Sequence, residues 1–230
     1  MPPCTWIAVS QQAGIAASTA HSLLTELLAH GAVTLDENKR YRLGPSLFYL
    51  GSAFARGTPL FRSTWIELVD MANEFGVTGA LAVPWDEHHL IIGAHQGGRR
   101  GVDVAFGGRV PLDGGSWGKA YFALAGQPLP AKLVSYTSKT VTDHSEYQRQ
   151  LDGARTLGYS VDSEEFADGV AGVGAGVTSD RGYEGLASLM WSVGAPEIDT
   201  DVVGRRLAAL TARASLSLGD NRRVASVGIE

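Results

Sequence analysis

The sequence predicts an α+β protein made of a small N-terminal unit, a connecting helix and a larger C-terminal unit. Two helical patterns followed by two short strand patterns occupy the first 44 residues. The next segment ends in Arg-Gly-Thr-Pro, and Gly and Pro are typical of boundaries. Strand and helix patterns then alternate, which favours mainly antiparallel strands with helices on one or both faces. We therefore expect units at residues 1–44, 45–58 and 59–219, with a loose tail at 220–230.

Composition limits the classes of protein to which the chain can belong. Hydrophobic residues make up 44% of its 230 residues, which is enough to form a core. The net charge of −5 argues against a large non-specific nucleic-acid surface but leaves room for a small basic patch. Cys4 is the single cysteine, so no internal disulfide forms, which fits a reducing cytoplasm. Because no apolar run reaches membrane-spanning length and the first residues lack a signal-peptide pattern, we expect a soluble cytoplasmic protein.

The first two elements are predicted to be helices joined by a glycine turn. A short helix covers Ala8–Ala13 and Gly14 follows it as the turn residue. The second helix covers Ser18–His30, with Ser18 or Thr19 as its cap and Gly31 just beyond its end. Its apolar residues recur at i, i+3, i+4, i+7 and i+8: Ala20, Leu23, Leu24, Leu27 and Leu28.

A β-hairpin and a further helix are expected next. The strands Ala32–Leu35 and Arg40–Leu43 flank the polar turn Asp36–Lys39. Two helices with a glycine turn and a following hairpin are the layout of a winged helix-turn-helix. Pro45 can begin the connecting helix, and a glycine and a proline end it near residue 58.

The C-terminal unit is predicted to contain five helices and six strands. The helices cover residues 60–75, 116–125, 129–136 and 143–157, with a terminal helix from about 202 to 218. The strands cover residues 78–84, 89–95, 102–106, 159–162, 170–177 and 185–193.

Four short motifs give the chain a resemblance to a known family. They are Gly158–Glu165 followed by Gly169-Val170, Val110–Leu112 leading into Gly118–Ala120, Ser18–His21 followed by Leu23-Leu24, and Tyr41–Gly44. In this order and at these intervals they resemble the IclR family of bacterial transcriptional regulators along nearly the whole chain. The resemblance implies an N-terminal winged helix-turn-helix that binds operator DNA, a linker helix and a GAF-like effector-binding domain. It also implies control of a catabolic or metabolic operon by dimers that often pair into tetramers.

The N-terminal unit departs from the family pattern in two respects. The resemblance implies one more helix ahead of Ala8, and the unit apparently lacks it, since only seven residues precede that position. No Lys or Arg occurs before Lys39. The expected DNA contacts are therefore polar groups of the second helix and the cations of the hairpin: Ser18, Thr19, His21, Ser22, Thr25, Lys39, Arg40 and Arg42. Because Lys and Arg supply most DNA affinity, a sensor or interaction module with impaired or absent DNA binding remains the alternative.

The resemblance also implies a ligand pocket beside Ser116-Trp117 and the strand from Asp162 to Gly172. The start of a helix at Ser116 exposes backbone N–H groups that attract an anion. Asp162 could accept from a ligand hydroxyl or could merely cap a turn, and Trp117 could stack on a flat ligand, fill the pocket or pack in the core. Three valines are candidate walls or ordinary core: Val102, Val110 and Val170. Small carboxylates or aromatic acids are the expected effectors, with no cofactor.

The candidate enzyme motifs in the sequence are incomplete. Gly118-Lys119 lacks the glycine and hydroxyl residues of a phosphate loop, because the chain has Asp113 and Ala120 there. The glycines from Gly172 to Gly176 lack dinucleotide spacing and indicate a strand that another element approaches closely. No nucleophile–base set emerges, so we expect no catalytic residues and no enzyme activity.

The histidines and the acidic pair Glu164-Glu165 have ordinary structural explanations. His88 and His89 should point to opposite faces of a strand, and His95 is too far along it to share a metal with His89. We expect these histidines at the solvent or at an interface, and no metal site. Glu164-Glu165 is expected in a solvated loop.

Overall fold

The computed structural model of the chain describes residues 4–194 and 198–220. The chain divides into two compact units, Met1–Gly57 and Thr58–Glu230. Most of the predicted tail, residues 221–230, lies outside the described residues. Within the described ranges, no helix combines the length and the apolar character needed to cross a membrane.

Over residues 4–57, the N-terminal unit consists of three helices and one hairpin. They are α1 (Trp6–Ala13), α2 (Ala17–Ala29), β1 (Val33–Leu35), β2 (Tyr41–Leu43) and α3 (Pro45–Gly57). Helix α1 begins earlier than predicted because the Thr5 side chain accepts a hydrogen bond from the backbone N–H of Ala8. The predicted cap of α2 is wrong, since Ala16 holds that position and Ser18 and Thr19 already lie inside the helix. Gly31, at φ +66°, follows the helix end as predicted.

The hairpin is antiparallel and has a tight polar turn. Val33 pairs with Leu43 and Leu35 pairs with Tyr41. One carboxylate oxygen of Asp36 accepts from the backbone N–H groups of Asn38 and Arg40, both at 2.9 Å. This side-chain turn explains why a polar segment at this position folds back on itself.

A six-stranded antiparallel sheet is the centre of the C-terminal unit. Its strands follow the order β5-β4-β3-β8-β7-β6. The elements in chain order are α4 (Pro59–Phe75), β3 (Thr78–Trp85), β4 (His88–Gln96), β5 (Arg109–Pro111), α5 (Gly115–Leu124), α6 (His144–Leu157), β6 (Ser160–Ser163), β7 (Val170–Ser179), β8 (Gly182–Ser192) and α7 (Thr200–Ser217). The predicted antiparallel α+β fold is confirmed.

The two faces of the sheet carry different helices. On β3, Gly79 faces Leu68 of α4, whereas the next residue, Ala80, belongs to the cluster around Trp117 of α5. Successive strand residues point to opposite faces, so α4 and α5 cover opposite sides. On β7, a Cβ at Gly174 would lie 3.0 Å from the Ser116 carbonyl oxygen. The close approach that the glycine-rich strand predicted is therefore made by α5.

Two predicted elements of the C-terminal unit are wrong. Residues 102–106 form a loop, because residues 107–111 occupy the edge of β4 where they would have to pair. Within that segment, β5 pairs with β4, so that Pro111 lies opposite His88. A strand exists only where it has a pairing partner, and Val-Asp-Val alternation does not supply one. Residues 129–136 are irregular rather than helical. Pro128 and Pro130 favour extended backbone in the residues before them.

Candidate functional site

A cavity of about 320 Å³ lies in the C-terminal unit beside the N-terminus of α5. All seven residues that the sequence indicated as ligand-binding line it: Val102, Val110, Ser116, Trp117, Asp162, Val170 and Gly172. Val110 belongs to one edge strand of the sheet and Asp162 to the other, so the sheet curls around α5 to bring its two edges together. The structure also adds residues that the sequence did not indicate, among them Ile91, Phe166 and Met190.

Helix α5 begins with a glycine, Gly115, because the Asp162 carboxylate leaves no room for a side chain there. Gly115 has φ +52°, a left-handed conformation that side chains disfavour. A Cβ at this position would lie 2.1 Å from Asp162 Oδ2. Gly114 precedes the helix, and no side chain among the described residues caps it. The first backbone N–H groups of α5 therefore lie close to Asp162 and to the cavity.

Asp162 has a structural contact as well as a place in the cavity wall. It is 8% exposed, and its Oδ1 accepts a hydrogen bond of 2.7 Å from the backbone N–H of Glu165. Burial raises the pKa of Asp162, and the nearby Glu165 carboxylate raises it further, against the opposing effects of hydrogen bonding and Lys119. The side chain thus caps a turn through one oxygen while its other oxygen lies toward Gly115.

Trp117 forms part of both the core and the cavity wall. It is 5% exposed and packs in a cluster with Ala82, Ile91 and Leu186. The same side chain lines the cavity. Trp117 therefore packs in the core through one part of its surface and limits the cavity through another, so these two expected roles do not exclude each other.

His89 is fully buried, so the expectation that it faces solvent or an interface is wrong. Its ring meets the rings of Trp117, Tyr121 and Tyr183 edge-on, at centroid distances of 6.1, 5.6 and 6.5 Å. Neither ring nitrogen has a hydrogen-bond partner among the described residues. Burial lowers the pKa of His89 to about 4; the nearby Pro111 carbonyl opposes this shift without reaching hydrogen-bond geometry. The curl of the sheet, which periodicity does not encode, places this strand residue under α5.

Lys119 and Glu165 form a buried ion pair behind the cavity wall. Lys119 Nζ lies 2.6 Å from Glu165 Oε1 and 2.8 Å from the carbonyl oxygen of Val161, with 3% of the lysine side chain exposed. The expected solvated loop at residues 164–165 is therefore wrong for Glu165. Glu164 pairs with Lys139 at the surface. The sequence contained one signal for this pair: Lys119 is the single charged residue among the small, apolar and aromatic residues of α5.

The irregular segment after α5 is attached to both turns that carry cavity residues. The Tyr136 hydroxyl donates to Asp113, which lies two residues before the first residue of α5. Thr137 Oγ1 donates to the Glu164 carbonyl oxygen at 2.7 Å, and Thr140 Oγ1 donates to that of Glu165 at 2.5 Å. These contacts link the turn before α5 with the turn after β6.

The N-terminal unit presents the residues that the sequence assigned to DNA contacts. The five polar residues of α2 are all exposed: Ser18, Thr19, His21, Ser22 and Thr25. Lys39 and Arg40 lie in the hairpin turn and Arg42 lies on β2, and Lys39 adopts φ +56°. Arg40 Nε lies 3.0 Å and an Arg42 guanidinium nitrogen 3.5 Å from the same Asp36 oxygen. Two of the three hairpin cations are thus partly neutralised within the turn.

Comparison with protein families identifies the chain. A family model described as the bacterial transcriptional regulator IclR C-terminal domain matches residues 55–188, more than half of the chain. The chain belongs to the IclR family. It is accordingly a transcriptional regulator of the IclR type, as the motifs indicated.

Individual relatives and solved structures agree with this assignment. The transcriptional repressor IclR of Escherichia coli is 30% identical over 172 residues, covering 70% of this chain and 63% of the relative. The glycerol operon regulatory protein of Streptomyces coelicolor is 28% identical over 181 residues, covering 75% and 70%. The crystal structure of an IclR regulator from Alicyclobacillus acidocaldarius has a TM-score of 0.79 at 24% identity, covering 94% and 90%. That of an IclR homologue from Microbacterium hydrocarbonoxydans complexed with 4-hydroxybenzoate has a TM-score of 0.73 at 20% identity, covering 94% and 92%.

Proposed function

We propose that this IclR-type regulator binds double-stranded operator DNA through its N-terminal unit and a small-molecule effector through the cavity of its C-terminal unit. Residues 1–44 act as a winged helix-turn-helix, 45–58 as a linker helix and 59–219 as a GAF-like effector domain. The protein works in the cytoplasm and controls an operon for the metabolism of a small molecule. The observation that carries the proposal is the cavity, whose volume of about 320 Å³ falls in the usual range for ligand pockets.

The effector is a small compound with an aromatic or otherwise apolar body. Valines, Trp117, Phe166 and Met190 supply apolar walls, while Asp162 and the first amides of α5 supply polar groups at one end. Such pockets bind through apolar contact and take their specificity from a few polar groups. A small carboxylate or an aromatic acid is the class that the family resemblance favours. The 4-hydroxybenzoate bound by one structurally similar homologue has a suitable size.

A thermal-shift screen against aromatic acids and hydroxylated aromatics tests effector binding, because a ligand of the native state raises apparent stability. Trp117→Ala should then admit bulkier ligands, and Asp162→Asn should change ligand preference more than stability. Asp70→Asn, on the far helix α4, is the matched control. If calorimetry finds that neither cavity variant changes the affinity by more than about twofold, well below the tenfold of ~1.4 kcal/mol, the site lies elsewhere.

DNA binding is assigned to α2 for specificity and to the hairpin for phosphate contacts. Replacing Arg40 and Arg42 with Ala should weaken binding to all sequences alike and reduce the salt slope by roughly one unit per lost contact. Ser22→Ala and Thr25→Ala should instead change the preferred sequence. Fluorescence anisotropy with fragments of the native promoter region, at several salt concentrations, measures both. An unchanged slope in the arginine double variant would place the basic contacts elsewhere.

The alternative is a small-molecule sensor whose DNA binding is impaired or absent. It is favoured by the shared contact of Arg40 and Arg42 with Asp36, which reduces the charge available to phosphates. Under this alternative, the same anisotropy titration finds no saturable binding at low salt while the effector still stabilises the protein. A native promoter fragment bound below micromolar concentration would exclude it.

We further propose a homodimer or a dimer of dimers assembled in part through α3. This helix exposes 40% of Leu47, 59% of Leu50 and 55% of Phe54. Contiguous exposed apolar residues mark association surfaces, and a dimer presents two recognition helices to successive major grooves. Light scattering that finds only a monomer at micromolar concentration contradicts this part of the proposal.

A further inference from the structure

The N-terminus of α5 already faces a negative group that belongs to the chain itself. Helix N-termini attract anions because their N–H groups are unpaired and the helix dipole is positive there. Asp162 Oδ2 lies so close to Gly115 that an alanine Cβ would be 2.1 Å from it. An anionic ligand bound at these amides would therefore lie next to a buried carboxylate.

Among the described residues, no cation forms an ion pair with Asp162, although the nearby Lys119 partly offsets its charge. Within the described ranges, Lys119 is the buried cation of this region, and its ammonium is engaged by Glu165 and by the Val161 carbonyl. Asp113, two residues before the first residue of α5, adds a further carboxylate, which is bound to Tyr136. The surroundings of the helix start thus hold three acidic side chains and one base.

The remaining wall of the cavity offers little to a negative group. Its charged residues besides Asp162 are Asp103 and Arg109, both exposed. The Arg109 guanidinium lies over the ring of Trp85, 5.9 Å from its centroid, and Trp85 is not part of the cavity lining. A carboxylate would therefore lose its hydration without gaining an ion pair, which is unfavourable.

We propose that the cavity selects an uncharged ligand, of the class of small aromatic alcohols and phenols, whose hydroxyl donates a hydrogen bond to Asp162. The apolar walls take the ring, and the buried carboxylate accepts the proton of the hydroxyl. This inference rests on the proposed effector role of the cavity and replaces the expected carboxylate at the α5 amides by a neutral donor. A carboxylate enters only if Asp162 takes up a proton to become the donor.

Three probes of one size separate charge from hydrogen bonding: benzyl alcohol, toluene and benzoate. Ligand-observed NMR and titration of the full chain at pH 8 give their dissociation constants. In protein NMR spectra, a change in the chemical shift of the Trp117 indole N–H on adding the probe shows that binding occurs in the cavity. This resonance is assigned by its loss in Trp117→Phe. Benzyl alcohol should bind at least about tenfold more tightly than benzoate, a difference of ~1.4 kcal/mol, and more tightly than toluene, which lacks a donor.

Asp162→Asn is the informative variant, because its amide oxygen can still accept from the Glu165 N–H. It should bring benzoate within about threefold of benzyl alcohol, since the repelling charge is gone. Asp70→Asn, on α4 at the opposite face of the sheet, removes a carboxylate outside the cavity and is the matched control, which should leave the ratio unchanged. If Asp162→Asn does not fold, calorimetry of wild type in two buffers serves instead. Any benzoate binding should then be accompanied by uptake of roughly one proton.

The outcomes distinguish this inference from the proposed function. Benzoate that binds wild type as tightly as benzyl alcohol, without proton uptake, overturns the charge selectivity and leaves the effector cavity intact. Absence of binding of all three probes at millimolar concentration, in wild type and in Asp162→Asn, overturns both.

Discussion

Replacing His89 with Phe should remove a loss of stability that the wild-type chain suffers on mild acidification. The imidazole is fully buried and its pKa is lowered to about 4, whereas an unfolded histidine titrates at 6.5. The folded-state pKa is depressed, so the unfolded state binds more protons throughout this window. The stability contribution is therefore complete above pH 6.5 and is lost as the pH falls toward 4.

The size of the effect follows from the two pKa values. At pH 5 an unfolded histidine is almost fully protonated, whereas a group with a pKa of about 4 holds a proton about one tenth of the time. Linkage converts this difference into a loss of about 2 kcal/mol in the free energy of unfolding between pH 7 and pH 5. His89→Phe should lack this component, because a phenyl ring between the same aromatic side chains does not titrate.

Urea denaturation at pH 7, 6 and 5 measures the difference between wild type and variant. Tryptophan fluorescence reports the C-terminal unit, because four of the five tryptophans lie there. Other titrating groups are common to both proteins and cancel in the comparison. His88→Phe, on the adjacent strand position, is the control and should retain the wild-type slope. Parallel curves for wild type and His89→Phe would refute the assignment of a neutral, buried imidazole.

Two further predictions concern the frame of the cavity. Lys119→Met should lower the free energy of unfolding by about 3 kcal/mol, because it leaves Glu165 buried without its partner; adding Glu165→Gln should recover at least half of that loss in the same urea assay. Gly115→Ala should cost more stability than Gly126→Ala. Both glycines have positive φ, which costs an alanine about 1–2 kcal/mol, but only at residue 115 does the Cβ meet a carboxylate, whereas nothing lies within 4 Å at residue 126. Equal losses in the two alanine variants would show that the contact is not as close as described.

Local signals in the sequence were sufficient for most of the fold. Gly31 and Gly158 mark the ends of two helices because each follows an amphipathic run and adopts positive φ. The turn at Asp36 is encoded by its own side chain, which replaces backbone partners. Such features depend on neighbours within a few residues, so a single sequence carries them.

The failures concern contacts between distant parts of the chain. Residues 102–106 alternate like a strand, yet the edge they would need on β4 is occupied by residues 107–111. The burial of His89 depends on the curl that brings α5 over β4, which no local pattern records. The same holds for Lys119 and Glu165, which are 46 residues apart in sequence.

The candidate site was found from the sequence in part for physical reasons and in part through resemblance. The start of a helix after Gly114-Gly115 is a local signal that indicates Ser116 and Trp117 as candidate ligand contacts. No local pattern indicates that Asp162 of β6 lies beside the N-terminus of α5. Only the family resemblance implied that the two lie together. Neither the local pattern nor the resemblance indicated Phe166 and Met190. They are ordinary apolar residues, and only the folding of the sheet brings them into the cavity wall.

Gly174 of β7 belongs to the frame of the cavity and not to its lining. At Gly174 the strand approaches the main chain of α5 so closely that a Cβ would lie 3.0 Å from the Ser116 carbonyl oxygen. This contact between the main chains of the strand and the helix does not itself depend on which side chains α5 carries. Because Trp117 also packs in the core, a smaller residue there should enlarge the cavity at a cost in stability while this main-chain contact stays in place. Where a lining residue has no further structural contact, a single substitution can change the preferred ligand, and selection can then act on chemical preference without first having to repair the fold.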